Sequence, residues 1–226
     1  GEGSFIVQKL AELGCAKPKE LEQASGLGRE RVTTLLESLS AADQICRIGD
    51  QWVTAETARA WQRVLVESVD NYHRDNALQP GIPHATLKAL LPNKVAPKAF
   101  EQLLGDLVAA GKLVQRGEWV ARTDFTPKPT EEQSQLLNKL EKVYLDAGTE
   151  AKGRVDMLAL ARIPETQVES LLAYLFSNGT LIRLNDDSFI HKQAYQKAVA
   201  SLKSHFAGQE TLTLAEFRDL IGSARK

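Results

Sequence analysis

The chain has 226 residues, 43% of them hydrophobic and 25% charged, with a net charge of −1. That is the composition of a folded globular protein and excludes a disordered tail. No apolar run approaches the roughly 20 residues of a membrane span, and the first residues lack the basic, apolar and small blocks of a secretory signal.

The first elements are helical. Phe5, Ile6, Leu10 and Leu13 fit a 3.6 period over Ser4 to Leu13, and Lys17-Pro18 opens a second helix, because a proline in the first turn has no N–H to leave unpaired. Leu21 and Ala24 lie on that helix, which stops at Ser25-Gly26-Leu27-Gly28, where glycine can take the left-handed C-cap conformation. Val32, Leu35, Leu36 and Leu39 mark a third helix. Ile45-Cys46-Arg47-Ile48, a Gly-Asp turn and Trp52-Val53 then form a hairpin.

The same order follows twice more. Trp61, Val64, Leu65, Val69 and Tyr72 face one side of a long helix, and Pro80-Gly81-Ile82-Pro83 must leave it. His84 to Leu91 is the next helix, and Ala96 or Pro97 opens a third carrying Phe100, Leu103, Leu104, Leu107 and Val108; a hairpin through Leu113-Val114 and Trp119-Val120 closes the set. After the stiff segment Thr126-Pro127-Lys128-Pro129-Thr130, Thr130 and Gln133 form a capping box for a helix presenting Leu136, Leu137, Leu140, Val143 and Tyr144. Val155 to Ala161 and Val168 to Phe176 are the next two helices, and Leu181-Ile182-Arg183-Leu184 with Phe189-Ile190 makes the hairpin.

Val32, Phe100 and Val168 are spaced by 68 residues, as are the apolar positions that follow each. A period held through helix and hairpin is the signature of a tandem repeat. Three helices followed by a two-stranded hairpin is the winged-helix arrangement, a helix-turn-helix with a small sheet. The expected fold is therefore mainly α with small β-hairpins: winged helices at 1–53, 54–125 and 126–190, and the beginning of a fourth at 191–226. In that fourth copy Tyr195, Val199, Leu202 and Phe206 mark one helix, and Thr213 with Glu216 caps a second carrying Phe217 and Leu220. The chain stops where a recognition helix would begin, and it opens without methionine, so a longer parent protein is expected. Burial at about 1.5 to 3 kcal/mol per large side chain makes core formation the first explanation for the apolar residues named.

The sequence has no phosphate-binding loop, no GxGxxG, no GxSxG elbow and no HExxH, so no enzymatic activity and no catalytic residue is expected. His73, His84, His191 and His205 are scattered, Cys15 and Cys46 are the only cysteines, and neither a metal site nor a disulfide framework is signalled. Asp186-Asp187 suits a hairpin turn.

A winged helix that binds DNA lays its third helix in the major groove and touches phosphate with the wing. Here the three wings carry Asp50, Glu118, and Asp186 with Asp187. The third helices offer Arg29, Arg31 and Lys98, but no cation at the start of the helix beginning at Glu165. Phosphate attraction there is reversed in sign, and these copies are expected to be scaffold. The positive charge lies elsewhere: from His191 to Lys226 there are 6 Lys and Arg against 3 Asp and Glu. Arg225 and Lys226 fall at the N-terminal turn of the coming helix, where backbone N–H groups and the helix dipole favour a phosphate.

The tandem winged helices, with Phe217-Arg218-Asp219, Gly222-Ser223 and Arg225-Lys226, resemble the C-terminal extension of the bacterial selenocysteine-specific elongation factors, the SelB family. The architecture resembles it over the whole chain, the motif over the last sixteen residues. The resemblance implies a cytoplasmic, monomeric GTPase that uses GTP and Mg and delivers selenocysteinyl-tRNA to the ribosome. Its C-terminal winged helices hold the SECIS hairpin of the messenger RNA. It implies RNA contacts from Arg225 and Lys226, assisted by Ser223 and the amides near Gly222; Arg218 with Asp219 either joins these contacts or, as a pair on one helix, only braces the turn. The rest of the recognition helix, its wing and the GTPase domains lie outside this sequence, so no cofactor belongs to it. The competing expectation is a DNA-binding or protein-scaffolding winged-helix array.

Overall fold

A computed structural model describes residues 1–150, 153–185, 187–208, 211, 213 and 216. It divides into two compact units, one formed by Gly1–Asp75 with Gly81–Thr126, the other by Asn76–Pro80 with the chain from Pro127 onward.

The first unit holds two winged helices of the same element order. The first is α1 (Glu2–Leu13), β1 (Cys15–Ala16), α2 (Pro18–Ser25), α3 (Arg29–Ala41), β2 (Ile45–Ile48) and β3 (Gln51–Thr54). The second is α4 (Ala55–Asp75), β4 (Ile82–Pro83), α5 (His84–Lys88), α6 (Pro97–Ala109), β5 (Leu113–Arg116) and β6 (Trp119–Arg122). Local chemistry sets the boundaries. Lys17 is extended ahead of Pro18, and its N–H donates to the Glu20 carboxylate at 2.7 Å. Gly26 closes α2 in the left-handed conformation, donating to the Glu22 carbonyl at 2.9 Å.

The sheets are larger than the sequence suggests. Each wing of this unit gains a third strand: β1 pairs antiparallel with β3, giving the order β1-β3-β2, and β4 pairs with β6, giving β4-β6-β5. Two-residue strands carry no readable period, so sequence alone presents Cys15–Ala16 and Ile82–Pro83 only as breaks between helices. Gly81 is required at the second break, because a Cβ there would lie 2.3 Å from the Val120 carbonyl oxygen. α1 starts at Glu2 rather than Ser4, and α5 ends at Lys88 rather than Leu91.

One core runs through both winged helices of the unit. Cys15, Ile48, Val53 and Ala58 pack in the same cluster as Leu65, Val69, Phe100, Leu103, Leu104 and Val120. A smaller cluster of Ile6, Leu10, Leu21, Val32, Leu36 and Ile45 lies under α1 to α3. Cys15 and Cys46 register against Val53 from opposite sides of β3. Two strand spacings of about 4.8 Å separate them, too far for the disulfide range, and both thiols are free.

The second unit contains α7 (Glu131–Ala147), α8 (Arg154–Ala161), α9 (Glu165–Ser177), β7 (Leu181–Asn185), β8 (Ser188–His191) and α10 (Lys192–Gly208). The Thr130 box forms as the sequence predicts: the Gln133 N–H donates to Thr130 Oγ1 at 3.2 Å, and the Thr130 N–H to Gln133 Oε1 at 2.9 Å. Its core gathers Leu137, Leu140, Tyr144, Met157, Leu171, Leu172, Leu175 and Phe189, together with Leu78. Leu78 and its neighbours 76–80, which the sequence presents as a break inside the second winged helix, thus group with this unit. His191 is buried at 2% exposure. Its Nδ1 accepts the Gln193 N–H at 3.1 Å, and its Nε2 lies 2.9 Å from Glu141 Oε1. Since a backbone N–H can only donate, Nδ1 is unprotonated and Nε2–H donates to the carboxylate.

Core formation does not account for every apolar residue named above. Phe5, Val64, Val155, Phe176, Tyr195 and Phe206 are exposed. Phe5, Val64, Phe176 and Tyr195 each sit next to a buried position of their own helix. Phe176 meets Phe189 edge-on at 6.1 Å, with the Arg183 guanidinium 4.9 Å from its ring centre.

Candidate nucleic-acid interface

In the first winged helix the nucleic-acid face would be the start of α3 and the β2-β3 wing. Arg31 is already held by Glu2, its Nη2 2.5 Å from the carboxylate, while Arg29 is exposed. The wing tip is covered. Gly49 turns there with φ +64°, and a Cβ on it would lie 2.9 Å from the Ala99 nitrogen and the Lys98 carbonyl carbon. Beside it Gln51, 4% exposed, donates from Nε2 to the Lys94 carbonyl at 2.9 Å and accepts the Ala96 N–H at 2.9 Å. Asp50 pairs with Lys17 at 3.1 Å, and that hydrogen bond is the main influence holding its carboxyl below the usual range.

The same contacts close the start of α6, the second recognition helix. A bare helix N-terminus offers its N–H groups to phosphate; here wing and Gln51 occupy that approach. Lys98 remains exposed, and Glu101 pairs with His84 at 2.7 Å. The acidic wing tips expected from sequence therefore have different fates: Asp50 supports a protein contact, while Glu118 stands on an exposed turn whose carbonyl accepts the His84 N–H at 2.8 Å.

In the second unit α9 begins with exposed Glu165 and Glu169, and Arg154 forms an ion pair with Glu169. Asp187 on the turn is exposed, and Arg183 lies over Phe176 and Phe189. The face thus carries three carboxylates and two arginines, with Arg154 neutralising Glu169. α10 differs: Lys192, Lys197 and Lys203 are exposed, and the helix contains no Asp or Glu. In its last turn His205 Nε2 lies 2.9 Å from the Thr211 carbonyl, and beyond it Thr213 and Glu216 cap one another as the sequence predicts, at 3.2 and 2.8 Å. The residues assigned to RNA, Arg218, Gly222, Ser223, Arg225 and Lys226, lie outside the described residues, as does Asp219. Sequence reasoning missed Gln51 because a polar residue inside a strand pattern carries no signal of a partner 43 residues away.

Among the described residues no group of three His, Cys, Asp or Glu is placed to hold a metal, and no helix is long and apolar enough to cross a membrane. Residues 66–121 match the family described as the winged helix of elongation factor SelB. The whole chain aligns with a selenocysteine-specific elongation factor from Desulfomicrobium baculatum at 22% identity, covering 36% of that protein. In a crystal structure of a bacterial selenocysteine-specific elongation factor, EF-Sec, the fold recurs with a TM-score of 0.52 at 14% identity, over 93% of this chain and 31% of that one. The chain spans about a third of the length of the relatives it matches.

Proposed function

We infer that this chain, a run of winged helices of the SelB type, is the messenger-RNA arm of a selenocysteine-specific elongation factor. In this reading the far C-terminal stretch holds a SECIS hairpin, and the preceding winged helices carry it at a distance from the part that binds GTP and Mg, selenocysteinyl-tRNA and the ribosome in the cytoplasm. The observation that carries the reading is the charge on α10. Its three lysines without a carboxylate lead to the Thr213 cap and the terminal Arg225 and Lys226, whereas wing and helix starts upstream are closed by protein contacts or lined with carboxylates. Counterion release rewards cations placed along a phosphate backbone. A hairpin loop adds unstacked bases whose edges can be read, which an A-form stem hides.

The test is a titration of a labelled SECIS hairpin with the full-length factor and with its Arg225→Ala/Lys226→Ala variant. Affinity is expected to drop at least tenfold in the variant. Equal affinity would remove these residues from the site. Equal binding of the wild type to duplex DNA would favour the DNA-binding array instead.

A further inference from the structure

A second cationic surface lies in the first unit, far along the sequence from the C-terminal stretch. Arg59 and Arg63 stand one turn apart on the exposed side of α4. With Lys112, after α6, and Arg122, at the end of β6, they line an open cleft of about 410 Å³ floored by Val66 and Leu107. Arg122 is paired with Asp70 at 3.3 Å. Among the described residues no carboxylate lies within ion-pair distance of Arg59, Arg63 or Lys112. Asp106, on α6, accepts a hydrogen bond from Gln102 at 3.0 Å, and Glu56 and Glu67 stand on α4 about one turn to either side of the arginine pair.

Two arginines at i and i+4 repel one another along a helix, an effect that Glu56, three residues before Arg59, and Glu67, four residues after Arg63, partly offset and that an anion across the pair would remove. Guanidinium groups take phosphate oxygens in a forked, bidentate geometry. One helical turn between them is close to the spacing of neighbouring phosphates on a strand. The cleft is open, suiting a backbone that passes through rather than a small anion enclosed on all sides.

We propose that this cleft binds the phosphodiester backbone of an RNA duplex, a contact separate from hairpin recognition at the C-terminus. The choice of RNA among polyanions rests on the translation role inferred above. Backbone contacts of this kind carry no sequence information and set position on the nucleic acid.

The probes are a blunt RNA duplex without a loop, the SECIS hairpin and a DNA duplex of the same sequence as the RNA duplex. Each is titrated against the wild-type full-length factor, Arg59→Gln/Arg63→Gln/Lys112→Gln and Arg225→Ala/Lys226→Ala at several salt concentrations. The three glutamine substitutions fall on exposed positions, and unchanged thermal melting confirms that the variant is folded. The wild type is expected to bind the RNA duplex. The cleft variant should bind it about tenfold or more weakly, with a salt slope shallower by roughly 0.9 for each phosphate it no longer neutralises. Unchanged duplex affinity and slope in that variant would overturn the cleft, and equal affinity for the DNA duplex would overturn its assignment to RNA. Hairpin binding that ignores the terminal substitutions while duplex binding still depends on the cleft would overturn the C-terminal reading alone.

Discussion

Gln51 donates to the Lys94 carbonyl at 2.9 Å while accepting the Ala96 N–H at the same distance. One side chain on the first wing thus holds both ends of the turn that leads into the second recognition helix. The pair seats the wing tip at the start of another helix of the same unit.

Gln51→Leu keeps the volume and removes both hydrogen bonds, leaving the Ala96 N–H without its partner and the Lys94 carbonyl with only the Cys15 thiol at 3.7 Å. A loss of about 1 to 3 kcal/mol is expected. The three tryptophans, Trp52, Trp61 and Trp119, all lie in the first unit, so urea unfolding followed by tryptophan fluorescence reads this unit. An unchanged midpoint would show that the clamp contributes nothing.

Two glycines separate backbone conformation from contact. Gly49 and Gly117 both have positive φ, +64° and +61°, but only Gly49 meets other atoms at the position of a Cβ. Gly117→Ala should cost about 1 kcal/mol, the conformational penalty alone. Gly49→Ala should cost more by the same fluorescence-detected unfolding, because Lys98 and Ala99 must shift. Equal destabilisation would mean the wing is not seated on α6.

His73 should make the first unit sensitive to mild acid. It is buried, stacks on Phe125 at 3.5 Å, and its Nε2 accepts the Arg122 N–H at 3.0 Å. Burial, the largest cause, lowers its pKa from the ordinary 6.5; the Asp70 charge pulls it back up, and Arg122 adds to the lowering. The unfolded chain therefore takes up a proton first, so stability is full above about 6.5 and declines as pH falls below it. His73→Gln keeps an acceptor for Arg122 without titrating. The variant should show a flatter urea midpoint between pH 7.5 and 5.5; an identical slope would assign the dependence to other groups.

Hairpin RNA binding should weaken steeply with salt. Roughly three to five phosphate contacts are expected, giving a log–log slope of about −2 to −5. Replacing Lys192, Lys197 and Lys203 by Gln should reduce the slope without changing the preference for one loop sequence over another, since phosphate contacts position and base contacts specify. A changed loop preference would place α10 at the bases.

Much of the fold is legible because each element carries its own physics. The 3.6 period of Val168, Leu171, Leu172 and Leu175, the Lys17-Pro18 start and the Thr130-Gln133 box are local signals, and the structure realises them. What the sequence hides depends on distant partners. β1 and β4 are strands only because β3 and β6 lie beside them. Asp50 reads in isolation as an acidic wing repelling phosphate, yet its partner is Lys17, 33 positions earlier. Arg59 and Arg63 carry no signal of their own, because a charged pair on a solvent face resembles ordinary helix surface until Lys112 and Arg122 are brought to the same cleft.

The junctions between winged helices have a consequence for how such chains can change length. β3 ends at Thr54 and α4 begins at Ala55, and β8 ends at His191 with α10 beginning at Lys192. With no loop between strand and helix, one inserted residue would turn the following helix by about 100° and swing Leu65 and Val69, or Ala194, off their buried faces. Between β6 and α7, Thr123, Asp124, Thr126 and Lys128 are exposed, and the chain there can absorb such a change. Insertions and deletions are therefore expected in pairs of repeats rather than within them, making two fused winged helices the unit that is added, removed or respaced.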